Sequence, residues 1–152
     1  MDIESIKQAK TRITPYIIET PLIRLPSLDS FLGCQVYVKA ECMQTTGSFK
    51  LRGAMNKILS LPEEEVKKGI VAVSSGNHGR GVAYAAKLLG TRATIVMPDT
   101  ATKAKVEAIQ ELGANIVYCK VEERFAVAKR ICESEGAVSI PPFDDEELMA
   151  GQ

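Results

Sequence analysis

Two short segments hold most of the side chains of this 152-residue chain that could do chemistry. The first is Thr46-Gly47-Ser48-Phe49-Lys50-Leu51-Arg52-Gly53, in which Lys50 falls in the first turn of an expected helix. The helix dipole disfavours a positive charge there, and Phe49 helps exclude water. An uncharged amine is the form that attacks a carbonyl to make a Schiff base. The same features also describe an ordinary solvated lysine near a helix start. The second segment is Ser74-Ser75-Gly76-Asn77-His78-Gly79-Arg80-Gly81, directly after a run that reads as a buried strand. Ligands of open α/β sheets bind outside the carboxyl ends of the strands. The glycines let backbone N–H groups approach an anion, and the following helix turns its positive end to it. A plain tight strand-to-helix turn is the alternative, with His78 a helix-start histidine without a task. A dinucleotide site is disfavoured, because the glycines run G-x-x-G-x-G rather than G-x-G-x-x-G, although Asp99 mimics the ribose-binding acid.

Composition narrows the class. Lys+Arg and Asp+Glu both number 19, so the formal net charge is zero, which argues against a nucleic-acid or membrane-surface binder. Hydrophobic residues at 45% and charged residues at 25% are ordinary globular values. The length suits one domain or one and a half. No apolar run approaches the roughly 18 residues of a membrane span. Met1-Asp2-Ile3-Glu4-Ser5 lacks the features of a signal peptide. Cys34, Cys42, Cys119 and Cys132 form no C-x-x-C pair, and His78 is the only histidine, which argues against a metal site. The expectation is reduced thiols in a cytoplasmic protein.

The elements that must position the two segments can be read in outline. Apolar spacing predicts a helix over residues 3–16, stopped by Pro15. Thr20-Pro21-Leu22 reads as extended, and residues 35–39 as a strand. Residues 45–48 read as a turn that caps a helix over 49–61. From Gly69 the pattern is regular: strands at 70–73, 93–97, 116–119 and 137–140, with helices over 80–89, 102–112 and 123–135. Those helices close at Gly90, Gly113 and Gly136. Strand–helix alternation implies right-handed crossovers and an α/β fold with a parallel sheet. Asp144-Asp145-Glu146-Glu147 then reads as a capped helix start.

Taken together, the lysine motif and the serine–glycine–asparagine–histidine loop closely resemble the fold-type II pyridoxal-phosphate enzymes, nearest to the threonine/serine dehydratase group. Lys39-Ala40-Glu41, Gln44, Thr20-Pro21-Leu22, Tyr84 to Gly90, Ala104-Lys105 and Phe143-Asp144-Asp145 before Ala150-Gly151-Gln152 extend the likeness along the chain. The resemblance implies the four-stranded parallel small domain of the tryptophan synthase β-like fold over residues 53–152. It makes residues 1–52 an arm of a large domain, with the rest of that domain absent from this sequence. A reading frame continuing past Gln152 is expected to encode the glycine-rich loop that grips the cofactor phosphate. Some members carry a metal site, which also falls in the absent half, so no metal ligand is assigned here.

The resemblance also implies roles. Lys50 would hold pyridoxal 5′-phosphate as a Schiff base and move protons on one face of it. Phe49 would lie beside the ring, and Asn77 would hydrogen-bond the ring's 3′ oxygen. Ser74, Ser75, Asn77 and His78 would surround the substrate carboxylate, with Ser75 acting on the opposite face. The implied reaction is β-elimination from threonine or serine to a 2-oxo acid and ammonia. The implied partners are a small amino-acid substrate and, in the full-length form, copies of itself in a homo-oligomer, with neither nucleic acid nor membrane. The alternatives are a serine racemase, a 3-hydroxyaspartate dehydratase, or a non-catalytic fragment or interaction module. Arg80 departs from the pattern, since close relatives usually have glutamine there.

Overall fold

The computed structural model describes all 152 residues. Helix α1 (Ile3–Ile13) opens on a reciprocal cap in which the Asp2 carboxylate accepts the Ser5 N–H at 2.8 Å and Ser5 Oγ accepts the Asp2 N–H at 3.0 Å. It buries Ala9 and Ile13 and gives way to a 3₁₀ turn over Thr14–Tyr16, where Pro15 cannot continue the α-helical bonds. Strand β1 (Leu22–Arg24) then pairs antiparallel with β2 (Tyr37–Lys39), Ile23 opposite Val38. Between them lies α2 (Asp29–Leu32), which the sequence pattern does not predict. Side-chain bonds to its first residue hold it: Asp29 grips the Arg24 guanidinium and accepts the Val36 N–H at 3.0 Å.

The lysine motif ends in α3 (Lys50–Ser60), and α4 (Glu63–Lys68) follows directly. Helix α4 is also missing from the sequence expectation. Its signals are Glu63, Glu64 and Glu65 in the first turn and Lys67 and Lys68 in the last, which complement the helix dipole. The regular region then runs β3 (Ile70–Val73), α5 (Asn77–Leu88), β4 (Ala93–Pro98), α6 (Lys103–Gln110), β5 (Asn115–Cys119), α7 (Arg124–Glu135), β6 (Val138–Ser139) and α8 (Glu146–Gly151). The four strands β3 to β6 are all parallel, as the spacing predicts, in the order β5-β4-β3-β6. Helix α5 begins at Asn77, three residues earlier than expected, so Asn77 and His78 belong to its first turn. Strand β6 is shorter than the 137–140 expectation, but Val138 N–H to Gly69 O at 3.0 Å and Ile140 N–H to Val71 O at 2.8 Å keep that stretch on the sheet.

The strands alternate between two faces. Ile70, Ala72, Ile95 and Met97 join the larger core with α3, α5 and α6, including Leu51, Met55, Ile58, Val82 and Ile109. Val71 and Val96 pack with Ala128 of α7 on the other face. Burial on both faces explains why these strands read as continuous apolar runs. Each fully buried Leu, Ile or Met contributes about 1.5–3 kcal/mol. Helix α1 completes the larger core through Ile13. No helix is long and apolar enough to cross a membrane.

Candidate active site

Lys50 is the first residue of α3. The turn before it forms because Gly47 takes a left-handed φ of 72° and donates to Gln44 O at 2.6 Å. Ser48 Oγ accepts the Lys50 N–H at 3.1 Å, a bond of the turn itself; the side-chain cap expected from residues 45–48 is not made, because Phe49, already in helical conformation, takes the N-cap position. Gln44 is buried and holds the arm in place: its side chain accepts the Ile18 N–H and donates to the Ile18 carbonyl, both at 2.9 Å. Arg52, two residues beyond Lys50, makes a two-pronged bond to Glu41 at 2.9 and 2.7 Å, and Thr20 Oγ1 donates to the same carboxylate at 2.5 Å. The Arg52 hydrogen bond holds the Glu41 carboxyl below its usual range against the opposing effect of burial.

Glycines bring the two segments together. A Cβ on Gly81 would lie 3.2 Å from the Leu51 N and Cα atoms and 3.3 Å from the Lys50 carbonyl carbon, so α5 rests directly on the backbone of the lysine motif. On the far side of α3, a Cβ on Gly53 would meet Leu148 O at 2.6 Å, and one on Gly151 would meet Arg52 O at 2.9 Å. Helix α8 therefore seats closely against α3, with the Gln152 side chain over Gly53 and the Asn56 Cβ over Gly151. Asn56 Nδ2 donates to Glu147 O at 2.6 Å, and Lys57 pairs with Asp145 at 2.7 Å.

The N-terminus of α5 faces the end of β3. Its first intrahelical bond is Arg80 N–H to Gly76 O at 3.1 Å, so the amides of Asn77, His78 and Gly79 lie upstream of the helical ladder. A Cβ on Gly79 would approach Ser74 O at 2.9 Å, and glycine permits this fold-back. Ser74 Oγ accepts the Gly76 N–H at 3.2 Å. Ser74 and Ser75 are half-buried and Asn77 is exposed. Arg80 is exposed, its guanidinium 3.9 Å from the place a Gly47 Cβ would take. His78 differs from its neighbours: it is 4% exposed, and its Nε2–H donates to Ile140 O at 3.0 Å while Nδ1 has no partner. Burial pushes its pKa down, and the Lys50 charge adds to this against the pull of the Ile140 carbonyl. The imidazole is therefore neutral, with its proton on Nε2.

The Lys50 amine donates to Pro142 O at 2.8 Å and to Gln152 Oε1 at 3.4 Å, and stands 5.2 Å from the centre of the Phe49 ring. Neither Pro142 nor Gln152 is singled out by the sequence reading as a partner of Lys50. The sheet order is what places them: β6 lies beside β3, so the chain leaving β6 runs past the loop leaving β3. Spacing along the chain carries no signal for that adjacency.

The chain is similar to known proteins over nearly all of its length. Residues 13–152 match the family model described as "Pyridoxal-phosphate dependent enzyme". The chain belongs to this pyridoxal-phosphate dependent family. It is 44% identical to a serine racemase of Oryza sativa subsp. indica over 99% of this chain and 45% of that relative. It is 45% identical to a catabolic L-threonine dehydratase of Staphylococcus aureus (strain USA300) over 97% of this chain and 43% of that one. The solved structure of maize serine racemase superposes with a TM-score of 0.93 at 43% identity, covering 99% of this chain and 46% of that one. The chain thus spans less than half the length of these relatives.

The residues present fit the family's cofactor. Its aldehyde needs an amine, and Lys50 offers one that is half-buried, held only by neutral oxygens and paired with no carboxylate. An aromatic ring flanks that amine, and the packing of Gly81 sets a row of helix-end amides on the neighbouring element.

Proposed function

We propose that this chain carries the lysine and carboxylate-binding part of a pyridoxal-phosphate-dependent lyase that removes the β-hydroxyl group of threonine or serine. The observation that supports it most is the seating of Gly81 on the Lys50–Leu51 backbone, which couples the only amine of the motif to the start of α5. In this reading Lys50 holds pyridoxal phosphate through Nζ, Phe49 lies along its ring and Asn77 hydrogen-bonds a ring oxygen. When bound, the cofactor supplies an electron sink for negative charge at the substrate's α-carbon. Lys50 Nζ takes the α-proton from one face. Ser74, Ser75 and the amides of Asn77, His78 and Gly79 bind and orient the substrate carboxylate, using the positive end of a 12-residue helix. His78 acts there through its amide, because its ring is turned into the protein. The β-hydroxyl leaves as water, carrying the proton that Lys50 Nζ took from the α-carbon, and the enamine so released is hydrolysed to a 2-oxo acid and ammonia.

The domain assignment is part of the same proposal: residues 1–52 serve as the arm of a larger domain and 53–152 as the small α/β domain. Racemisation is the second reading, favoured by the 44% identical relative named a serine racemase and by Ser75 as a second proton-handling group.

The test compares wild-type protein with Lys50→Ala, on the 152-residue chain and on the product of its whole reading frame. Threonine and serine are assayed for 2-oxo acid, and serine for its D-isomer. Release of 2-oxo acid that needs Lys50 supports elimination. D-serine without 2-oxo acid would favour racemisation. Undiminished turnover in Lys50→Ala would overturn both.

A further inference from the structure

The segment that leaves β6, Ile140 to Asp145, is a strap tied at both ends. At its start Ile140 N–H bonds Val71 O at 2.8 Å, and Ile140 O accepts the His78 Nε2–H at 3.0 Å. At its end Asp145 pairs with Lys57 at 2.7 Å and caps α8 by accepting the Leu148 N–H at 2.9 Å. Between the anchors, Pro142 and Pro141 have restricted φ angles, Asp144 takes a left-handed φ of 55°, and Pro142 O receives the Lys50 amine at 2.8 Å. Both chemistry-bearing segments thus bond the same short stretch, two residues apart. His78 has nothing else to do with its ring: Nδ1 is unpartnered, so no second bond competes with the one to Ile140.

We propose that His78 is a positioning residue whose Nε2–H fixes the strap, so that the Pro142 carbonyl oxygen stands where the free Lys50 amine is held. The inference rests on the reading of Lys50 given above for its catalytic meaning: an amine that alternates between a bound and a free state needs a defined place when free. The hydrogen-bond relay itself belongs to the cofactor-free protein and can be tested there.

The test is reductive methylation of the cofactor-free chain with formaldehyde and a borohydride, resolved lysine by lysine through peptide masses. In His78→Leu the strap loses its front anchor while the Lys57–Asp145 pair keeps the rear one. Lys50 should then be labelled faster, on the order of tenfold, the factor expected when one hydrogen bond to a charged group is lost. Lys57, whose side chain is 18% exposed, and Lys103, at 88%, should keep their wild-type rates. His78→Gln, whose amide nitrogen reaches the same carbonyl, should restore the slow rate at Lys50. If His78→Leu does not fold, His78→Asn replaces it with the same expectation, because its shorter amide falls short of Ile140. An unchanged Lys50 rate overturns the proposal. So does a parallel rise at Lys57, which would make His78 a general support of the fold. Failure of the Lys50 assignment would show separately, as pyridoxal phosphate bound to other lysines in the unsubstituted chain.

Discussion

At the scale of single residues, His78 illustrates how burial sets the state of a basic group. His78 is the only histidine of the chain. Burial and the nearby Lys50 charge hold its folded-state pKa below the ordinary value of about 6.5. The unfolded chain therefore takes up the proton first as pH falls. The stability linked to His78 is complete above about pH 6.5 and is lost as pH drops from there through the folded value, at up to about 1.4 kcal/mol per pH unit. Urea midpoints of the wild type should be lower at pH 5.5 than at 7.5, and those of His78→Leu should change little over the same range. Equal wild-type midpoints would contradict the buried neutral imidazole. The residue types were legible in the sequence, and so was their grouping into two segments. The inward turn of the His78 ring was not legible, because it depends on a carbonyl 62 positions away.

At the scale of elements, what matters is how α3 is held, since it carries Lys50. Gly53 is a sensitive point. Alanine would gain about 1 kcal/mol in helix propensity, but its Cβ would stand 2.6 Å from Leu148 O. The clash with backbone should outweigh the gain, leaving Gly53→Ala about 1–3 kcal/mol less stable than wild type by thermal melting. A raised melting temperature would show that α8 is free to move away. On the opposite side, Glu41→Gln removes the charge that Arg52 grips. It should cost about 1–3 kcal/mol, since both side chains are largely buried. Because Arg52 holds the Glu41 carboxyl below its usual range, this stabilisation is present above about pH 4.3 and disappears as pH falls through the lowered value. The difference between Glu41→Gln and wild type should therefore shrink in acid, which urea titrations at pH 7 and pH 3 would reveal. The strands β3, β4 and β5 could be placed from sequence because apolar runs and glycine caps are local signals. Helix α2 could not, as a single Arg24–Asp29 ion pair and the Val36 N–H bond to Asp29 hold this four-residue turn, and the order β5-β4-β3-β6 depends on pairings that no window along the chain contains.

At the scale of the whole molecule, the parallel sheet and its helices form a closed core, whereas the hairpin region keeps an apolar surface. Phe31 is 85% exposed, and Leu22, Leu32, Tyr37, Val38 and Met43 are all more than 40% exposed. An apolar surface of this kind favours association. The 152-residue chain should therefore sediment as a concentration-dependent mixture, and Phe31→Ser with Leu32→Ser should shift it toward monomer; a dilution-independent monomer in the wild type would contradict this. The central claim concerns the site: one amine, presented at the head of α3 and coupled to the α5 loop, is the group that takes pyridoxal phosphate. The measurement that tests it most directly is to mix the chain with the cofactor, reduce with borohydride and locate the label by peptide mass. The account predicts a label concentrated on Lys50 and lost in Lys50→Ala. A label spread over exposed lysines such as Lys7 and Lys103, with none in excess on Lys50, would contradict it.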